Sequence, residues 1–529
     1  MHPVLAQAAS GVLSFELRLG QSSALTICIL ALLTFVLREI VLYFTRHSMP
    51  PGPFRWPVIG NALQIPQDHP WVKYTEWAKM YGPLMQLDVL GQHMLVITSA
   101  QTARDLMEKR SSIYSDRPHL VSSLRVAGFG DTLILQNYGE EFRYQRKLVS
   151  HSFSPSVIHR YYDLQEAAAR RLVLAVLEDP DSLGSSTRLH IASIILRMTY
   201  GYTVKGVDDP LFTTGIAVIN GFSEATRPGA WPVDFVPILQ YVPHWVPGFV
   251  FTKKAREWRG VLERALWAPY YWCKENYARD AAHGLCLCGS ILAAEGSQLS
   301  SDQEWLFVNA AVTVMGGGLD TNISTILSFV LAMLRFPEVQ KKAQAEIDAV
   351  IGTNRLPLIS DRHSLPYVRS VVTEVYRWIP AVPLGIPHAL RQDDHYDGLF
   401  LSKGSVVVPN VWGMLHDPSI YPAPHEFKPE RYGGLDAEMT KVTDIAFGFG
   451  RRACPGFYFA EGTIFAIVAT VLAICDVVPT VDEHGREVIP EVSLTSGAIV
   501  SPENVKCTFR PRSGRVKDIL VEAVETEQE

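Results

Sequence analysis

Cysteine is sparse in this chain and follows no pattern. The seven cysteines, at 28, 273, 286, 288, 454, 475 and 507, form no ladder of regular spacings, and Cys286-Leu-Cys288 lacks a second pair at zinc-finger distance. An odd count without a disulfide framework fits a reducing compartment. Positive charge is not in excess either: 48 Lys and Arg against 54 Asp and Glu leave a formal net charge of −6. That balance gives no global attraction to nucleic acid and confines any basic docking face to a local patch. No glycine-rich dinucleotide fingerprint is present, so the chain carries no nicotinamide or flavin site of its own. Long disordered stretches are excluded by composition, since 47% of the 529 residues are hydrophobic and 19% charged; the length alone allows two to four domains.

What is present is organised around Phe447-Gly-Phe-Gly-Arg-Arg-Ala-Cys-Pro-Gly456. Read alone, a cysteine is most often a small buried hydrophobe and Gly-Phe-Gly a turn. Here glycines at 448, 450 and 456 let backbone N–H groups approach the Cys454 sulfur, while Arg451 and Arg452 add positive potential, as a thiolate requires. Cys454 is therefore a candidate iron ligand. Pro455 suits the first turn of a helix expected from about Gly456 through Leu472, apolar nearly all round and so buried. The pattern Phe-x-x-Gly-x-Arg-x-Cys-x-Gly arises by chance about once in ~10⁷ starts.

Toward the N-terminus, residues 1–23 are a mixed tail and 24–44 an apolar run interrupted by Arg38 and Glu39. The run matches the roughly 20 residues needed to cross a bilayer. A cleaved signal peptide competes, but its positive region should precede the apolar stretch, whereas Arg38, Arg46 and Arg55 follow it. That order puts the bulk of the chain on the cytoplasmic side of a single-pass anchor. Residues 45–53 end in Pro50-Pro-Gly-Pro53, a stiff hinge; residues 54–514 are expected to form one mainly helical domain with small β-sheets, and 515–529 an acidic, frayed tail.

Within the domain, four prolines among the aromatics of 231–251 forbid a regular helix and leave two readings, a buried crossover or an apolar lid at the membrane. Ser301-Asp-Gln-Glu304 reads as a capping box opening a helix to about Leu334. Its middle, Met315-Gly-Gly-Gly-Leu-Asp-Thr-Asn322, predicts either a local kink or close approach of another group, because each glycine costs about 1 kcal/mol against Ala. In 140–148, Phe142 and Arg146 share a helix face, as do Glu374 and Arg377 in 365–377. The segment 380–388 is extended by its prolines, with Val382 and Leu384 able to line a pocket.

The cysteine pattern resembles that of the cytochrome P-450 family, and the proline-rich hinge extends the resemblance to the N-terminus. It is similar to fungal microsomal members, of the O-methylsterigmatocystin oxidoreductase-like type. The resemblance implies haem b with Cys454 as the axial thiolate, Phe447, Gly450 and Gly456 shaping its loop, and Arg146, His388 and Arg452 at the haem propionates. Gly317-Gly-Leu-Asp-Thr-Asn322 matches the family's oxygen-side motif until its last position: Asp320 and Thr321 would relay protons, Asn322 cannot turn a hydroxyl, and Gly317 would border the substrate pocket. Phe142 departs from the family's tryptophan and brings no indole N–H. Glu374, Arg377 and Arg431 are implied as a structural network.

The expected activity is insertion of one oxygen atom from O₂ into an apolar small molecule, a secondary metabolite such as a terpenoid or polyketide. Electrons would come from a membrane-bound NADPH-dependent flavoprotein reductase docking near Lys147, Lys441 and Arg451. The expected partners are thus that reductase, a hydrophobic substrate and the lipid bilayer of the endoplasmic reticulum, without nucleic acid. Two rivals stand beside it: a haem-thiolate enzyme that rearranges peroxides or dehydrates without a reductase, and a non-catalytic membrane haem sensor.

Overall fold

The computed structural model describes residues 26, 29–30, 32–37, 41, 49–118, 122–226, 231–234, 237–242, 245–246, 250–277, 286–295 and 299–527. The tail 1–23 and much of the expected anchor lie outside them; the described residues from 26 to 41 are helical and mostly exposed. Beyond the hinge, α1 (Pro70–Tyr81) begins with proline at its first position, where a missing N–H is harmless. A hairpin follows, β1 (Leu84–Val89) and β2 (Gln92–Ile97), turning at Leu90 and Gly91, both with positive φ.

Among the described residues, six helices of nine residues or more then lead to the long central one: α2 (Glu140–Ser152), α3 (Tyr162–Glu178), α4 (Leu183–Tyr200), α5 (Pro210–Ala225), α6 (Phe251–Tyr277) and α7 (Leu287–Glu295). The central helix α8 (Ser301–Arg335) has 35 residues, about 52 Å at ~1.5 Å per residue. Its capping box is one residue earlier than expected. Ser300 Oγ accepts the Gln303 N–H at 3.2 Å, and Gln303 Oε1 accepts the Ser300 N–H at 2.9 Å. Ser301 is already helical, and Glu304 is held by the Tyr270 hydroxyl and Lys274, so it is not free to reach back.

After α9 (Pro337–Val350) and α10 (Pro366–Trp378), the chain adds β3 (His388–Ala389), the hairpin β4 (Asp394–Tyr396) and β5 (Leu399–Leu401), and β6 (Val406–Pro409). β6 lies parallel to β2, with Val406 opposite Met94, and gives a four-stranded sheet in the order β1-β2-β6-β3. α11 (Asp436–Ala446) precedes the cysteine loop, and α12 (Phe457–Ile474) follows it, buried from Gly462 to Ile474 and packed on α3 and α8. Both α8 and α12 are long and apolar enough to cross a membrane, but each is mostly inside the protein, as core helices are. The chain closes with β7 (Cys475–Val481), β8 (Glu487–Val488), β9 (Cys507–Pro511) and α13 (Gly514–Thr526).

α13 corrects the expectation of a frayed tail. Ser513 caps it, Val516, Leu520 and Val524 are buried, and Glu527 forms ion pairs with Arg170 and Arg171 of α3. The acidic composition concealed a stripe of apolar residues spaced four apart. One cluster of buried apolar residues takes members from Leu84 to Val524. Cys273, Cys286 and Cys288 are buried in it, and among the described residues no cluster of His, Cys, Asp and Glu is arranged to hold a metal ion.

Candidate active site

The loop between α11 and α12 is held by its own backbone. The Cys454 N–H donates to the Phe447 carbonyl at 2.7 Å, and Phe447 packs edge-on against Tyr376 of α10 and Phe457. Gly450, with φ of 56°, is required here: a Cβ would lie 2.2 Å from the Met107 carbonyl oxygen, inside any tolerable contact. Burial pushes the Cys454 thiol up, opposed by the Gly456 N–H and by the charge of Arg146. The positive potential at the sulfur thus comes from Arg146 of α2. Arg451 instead lies over the Tyr138 ring, 4.6 Å from its centroid.

Four cationic or titratable side chains gather beside this loop. Arg452 donates to the carbonyls of Ser115 at 2.8 Å, Leu133 at 3.3 Å and Gln136, with its guanidinium 3.9 Å above the Phe142 ring centroid. Burial lowers its pKa to about 10, offset by Asp116 and reinforced by Arg146. Arg146 has neither a hydrogen-bond acceptor nor a carboxylate partner among the described residues, and burial depresses its pKa. His388 is buried on β3, its Nδ1 2.6 Å from the Tyr114 carbonyl; burial, Arg117 and Arg452 keep the ring neutral. Because a carbonyl only accepts, Nδ1 carries the proton and Nε2 keeps its lone pair. Arg117, which the sequence reading did not single out, donates to the Ile134, Ile386 and Pro387 carbonyls from a buried position.

The three glycines of α8 divide their labour. The helix runs through them without interruption. Gly318 answers the other expectation, close approach: a Cβ there would meet Ile195 of α4 at 2.6 Å. Gly316 and Gly317 have no neighbour within 4 Å of a Cβ, so this stretch of helix leaves a cradle. The Thr321 hydroxyl donates to the Gly317 carbonyl at 2.7 Å, and the Asn322 amide to Gly318 at 2.6 Å, so Asn322 is committed to the helix backbone. Across α8, α5 approaches through Gly215 beside Met315 and Leu319.

Burial raises the Asp320 carboxyl to about 6, opposed by Arg188 of α4. An acid raised in the folded state contributes stability below its ordinary value of 3.8, and that contribution is lost as pH rises through about 6. Ionised Asp320 therefore costs the fold about 3 kcal/mol at neutral pH. Asp320→Asn is expected to be more resistant to urea than the parent at pH 7.5, an advantage falling to about half by pH 5. An equal advantage at both values would refute this account of the carboxyl.

The expected scaffold is a buried polar network. Arg377 donates to both oxygens of Glu374 at 2.8 Å, and both residues are fully buried. Glu374 also accepts from Arg431 Nε at 3.2 Å, the Tyr432 hydroxyl at 2.6 Å and the Lys428 N–H at 2.8 Å; the last two partners were not anticipated. Arg431 in turn holds the carbonyls of Pro422, Ala423 and Glu426. Of the two expected pocket residues, Val382 is half-buried, while Leu384 packs against the small apolar cluster of Trp77, Met85, Leu87 and Val96. Beside them, the chain at Val500 is fastened to α8 and to the extended segment: its carbonyl accepts from the Ser324 hydroxyl and its N–H donates to the Ala381 carbonyl.

These residues suit a thiolate-ligated haem. Cys454 is the exposed one among the described cysteines, so its sulfur is open to a ligand, while the other five are buried. Partner-free Arg146 and carbonyl-locked Arg452 beside it suit a dianionic rim. The comparisons agree. The Cytochrome P450 family model matches residues 50–504. Cytochrome P450 monooxygenase 45 of Postia placenta is 96% identical over 529 residues, all of both chains. Cytochrome P450 monooxygenase claR of Ampulloclitocybe clavipes is 39% identical, covering 90% of this chain and 88% of that one. A zebra fish cytochrome P450 solved with progesterone shares the fold, with a TM-score of 0.70 at 23% identity over 84% of this chain and 99% of the other. The chain belongs to the cytochrome P450 family, as a fungal haem-thiolate monooxygenase.

Proposed function

We propose that this monooxygenase acts on an apolar secondary metabolite such as a terpenoid or polyketide, by RH + O₂ + 2e⁻ + 2H⁺ → ROH + H₂O. Bound haem supplies oxygen activation, with electron density from the thiolate. Cys454 would be its ligand, with Phe447, Gly450 and Gly456 fixing the sulfur, and Arg146 and Arg452 would hold its rim; the expected donor His388 drops out, because the neutral ring spends its one N–H on the Tyr114 carbonyl. Asp320, which takes up and releases its proton around pH 6, would pass it to Thr321 Oγ1 on the cradle side of the helix. The carrying observation is Asp320 itself: a half-buried carboxyl whose pKa is raised to about 6, one residue from a hydroxyl and three from the Gly317 cradle.

The reading of an apolar substrate and a lipid surface rests on exposure. In the proline-rich crossover, Ile238, Tyr241, Trp245 and Val250 are all more than 60% exposed, which favours the lid over a buried crossover. Phe54, Trp56, Val58 and Leu63 after the hinge are exposed as well. Residues 24–44 complete a single-pass anchor in the endoplasmic reticulum, with the catalytic domain cytoplasmic, where a membrane-bound NADPH-dependent flavoprotein reductase delivers electrons. The test is product formation by membranes containing the protein, supplied with that reductase and a panel of terpenoids and polyketides. Turnover that needs both NADPH and O₂ supports the reading; turnover without either identifies the rearranging or dehydrating rival, and haem without turnover the sensor.

For the reductase surface, Lys147 is exposed on α2, whereas Lys441 is already paired with Glu438 at 2.6 Å. Lys147→Glu and Arg451→Glu are expected to slow electron transfer roughly three- to tenfold at low salt, Lys441→Glu less, and all differences should fade above ~0.5 M salt. Stopped-flow reduction rates that ignore these charges would remove the patch from consideration.

A further inference from the structure

Phe142 stands where the family pattern has tryptophan, and the side chain above it explains how the site works without an indole. The Arg452 guanidinium lies 3.9 Å from the Phe142 ring centroid, far inside the ~6 Å reach of a cation–π contact, and the ring is 3% exposed. Tyr138 leans on Phe142 at 5.7 Å and itself carries Arg451 at 4.6 Å, so two arginines and two rings form one ladder from the surface inward. Arg146 follows Phe142 by four residues on α2, on the same face, and its charge acts on Arg452. Two like charges are thus brought together where the nearest acid, Asp116, is already engaged by Arg391. The three carbonyls around Arg452 set its plane, and the π face beneath it adds to the pull of Asp116 in opposing displacement by Arg146.

We propose that Phe142 is a positioning residue for haem: its π face clamps Arg452 beside Arg146, making a two-guanidinium seat for the haem carboxylates in place of an indole hydrogen bond. The ring touches no part of the reaction; it acts through Arg452. A packing role and a π role are separated by changing the ring's charge distribution while keeping its shape.

The experiment replaces Phe142 with 4-fluoro-, 3,4,5-trifluoro- and pentafluorophenylalanine in the full chain and follows haem transfer from the holoprotein to excess apomyoglobin. The rate is expected to rise stepwise, to about tenfold for the pentafluoro ring, whose face no longer attracts a cation. Phe142→Tyr, which keeps that face, should stay within about twofold of the parent. In an Arg452→Gln background the fluorinated series should be flat. A series that is flat with Arg452 present, or one that still rises once the guanidinium is gone, overturns the proposal.

Discussion

Cys454→Ser is expected to abolish the thiolate-type Soret band of the reduced, carbon-monoxide-bound protein and to reduce turnover by at least ~10³-fold, because a hydroxyl is a far poorer electron donor to iron. The loop itself should survive. Its backbone bond from residue 454 to Phe447, the edge-on packing of Phe447 on Tyr376, and the close approach of Gly450 to Met107 involve no sulfur. The loss is therefore one of ligation, with the melting temperature of the haem-free protein changed little. A variant that kept the thiolate band would move the ligand to another cysteine. That alternative is poor on structural grounds, since the other described cysteines are buried in the core.

Glu374→Ala should have the largest effect on folding. The substitution removes the acceptor for two donors from Arg377, one each from Arg431 and Tyr432, and the Lys428 N–H. Arg377 has no solvent access, so its charge would remain buried with only the carbonyls of Leu415, Pro424 and Glu426 around it. Breaking such a pair costs about 3–5 kcal/mol, a large part of the ~5–15 kcal/mol that holds a typical domain together. Loss of most folded holoprotein is expected, measured as haem content per polypeptide and by urea titration. Arg431→Ala should cost less, because that side chain is 10% exposed and its carbonyl partners can turn to water. Equal tolerance of both substitutions would show that the network is not what holds this part of the fold.

Much of the site was legible because its parts are local. The cysteine loop is ten consecutive residues, the Asp320-Thr321 pair lies on one helix, and Glu374 with Arg377 is a single turn. The positions of glycine and proline within such short spans carry backbone requirements that can be read directly. Less legible were features that depend on what arrives from elsewhere in the chain. Gly318 differs from Gly316 and Gly317 only because Ile195 meets it. Glu304 is engaged by Tyr270 and Lys274 of α6, while Ser300 and Gln303 make the capping box.

The sequence by itself determined the family, the thiolate chemistry, the mainly helical class and the residues that could serve it. Those follow from short-range spacing, in which covalent geometry limits what a few residues can do. Only the tertiary structure decided which charges act where. It placed Arg146 rather than Arg451 at the sulfur, set Arg452 on the Phe142 ring, faced Asp320 toward Arg188, and turned an acidic tail into a docked helix. The physical reason is that Coulomb and π interactions fall off over a few ångströms, and only packing brings residues hundreds of positions apart within that distance.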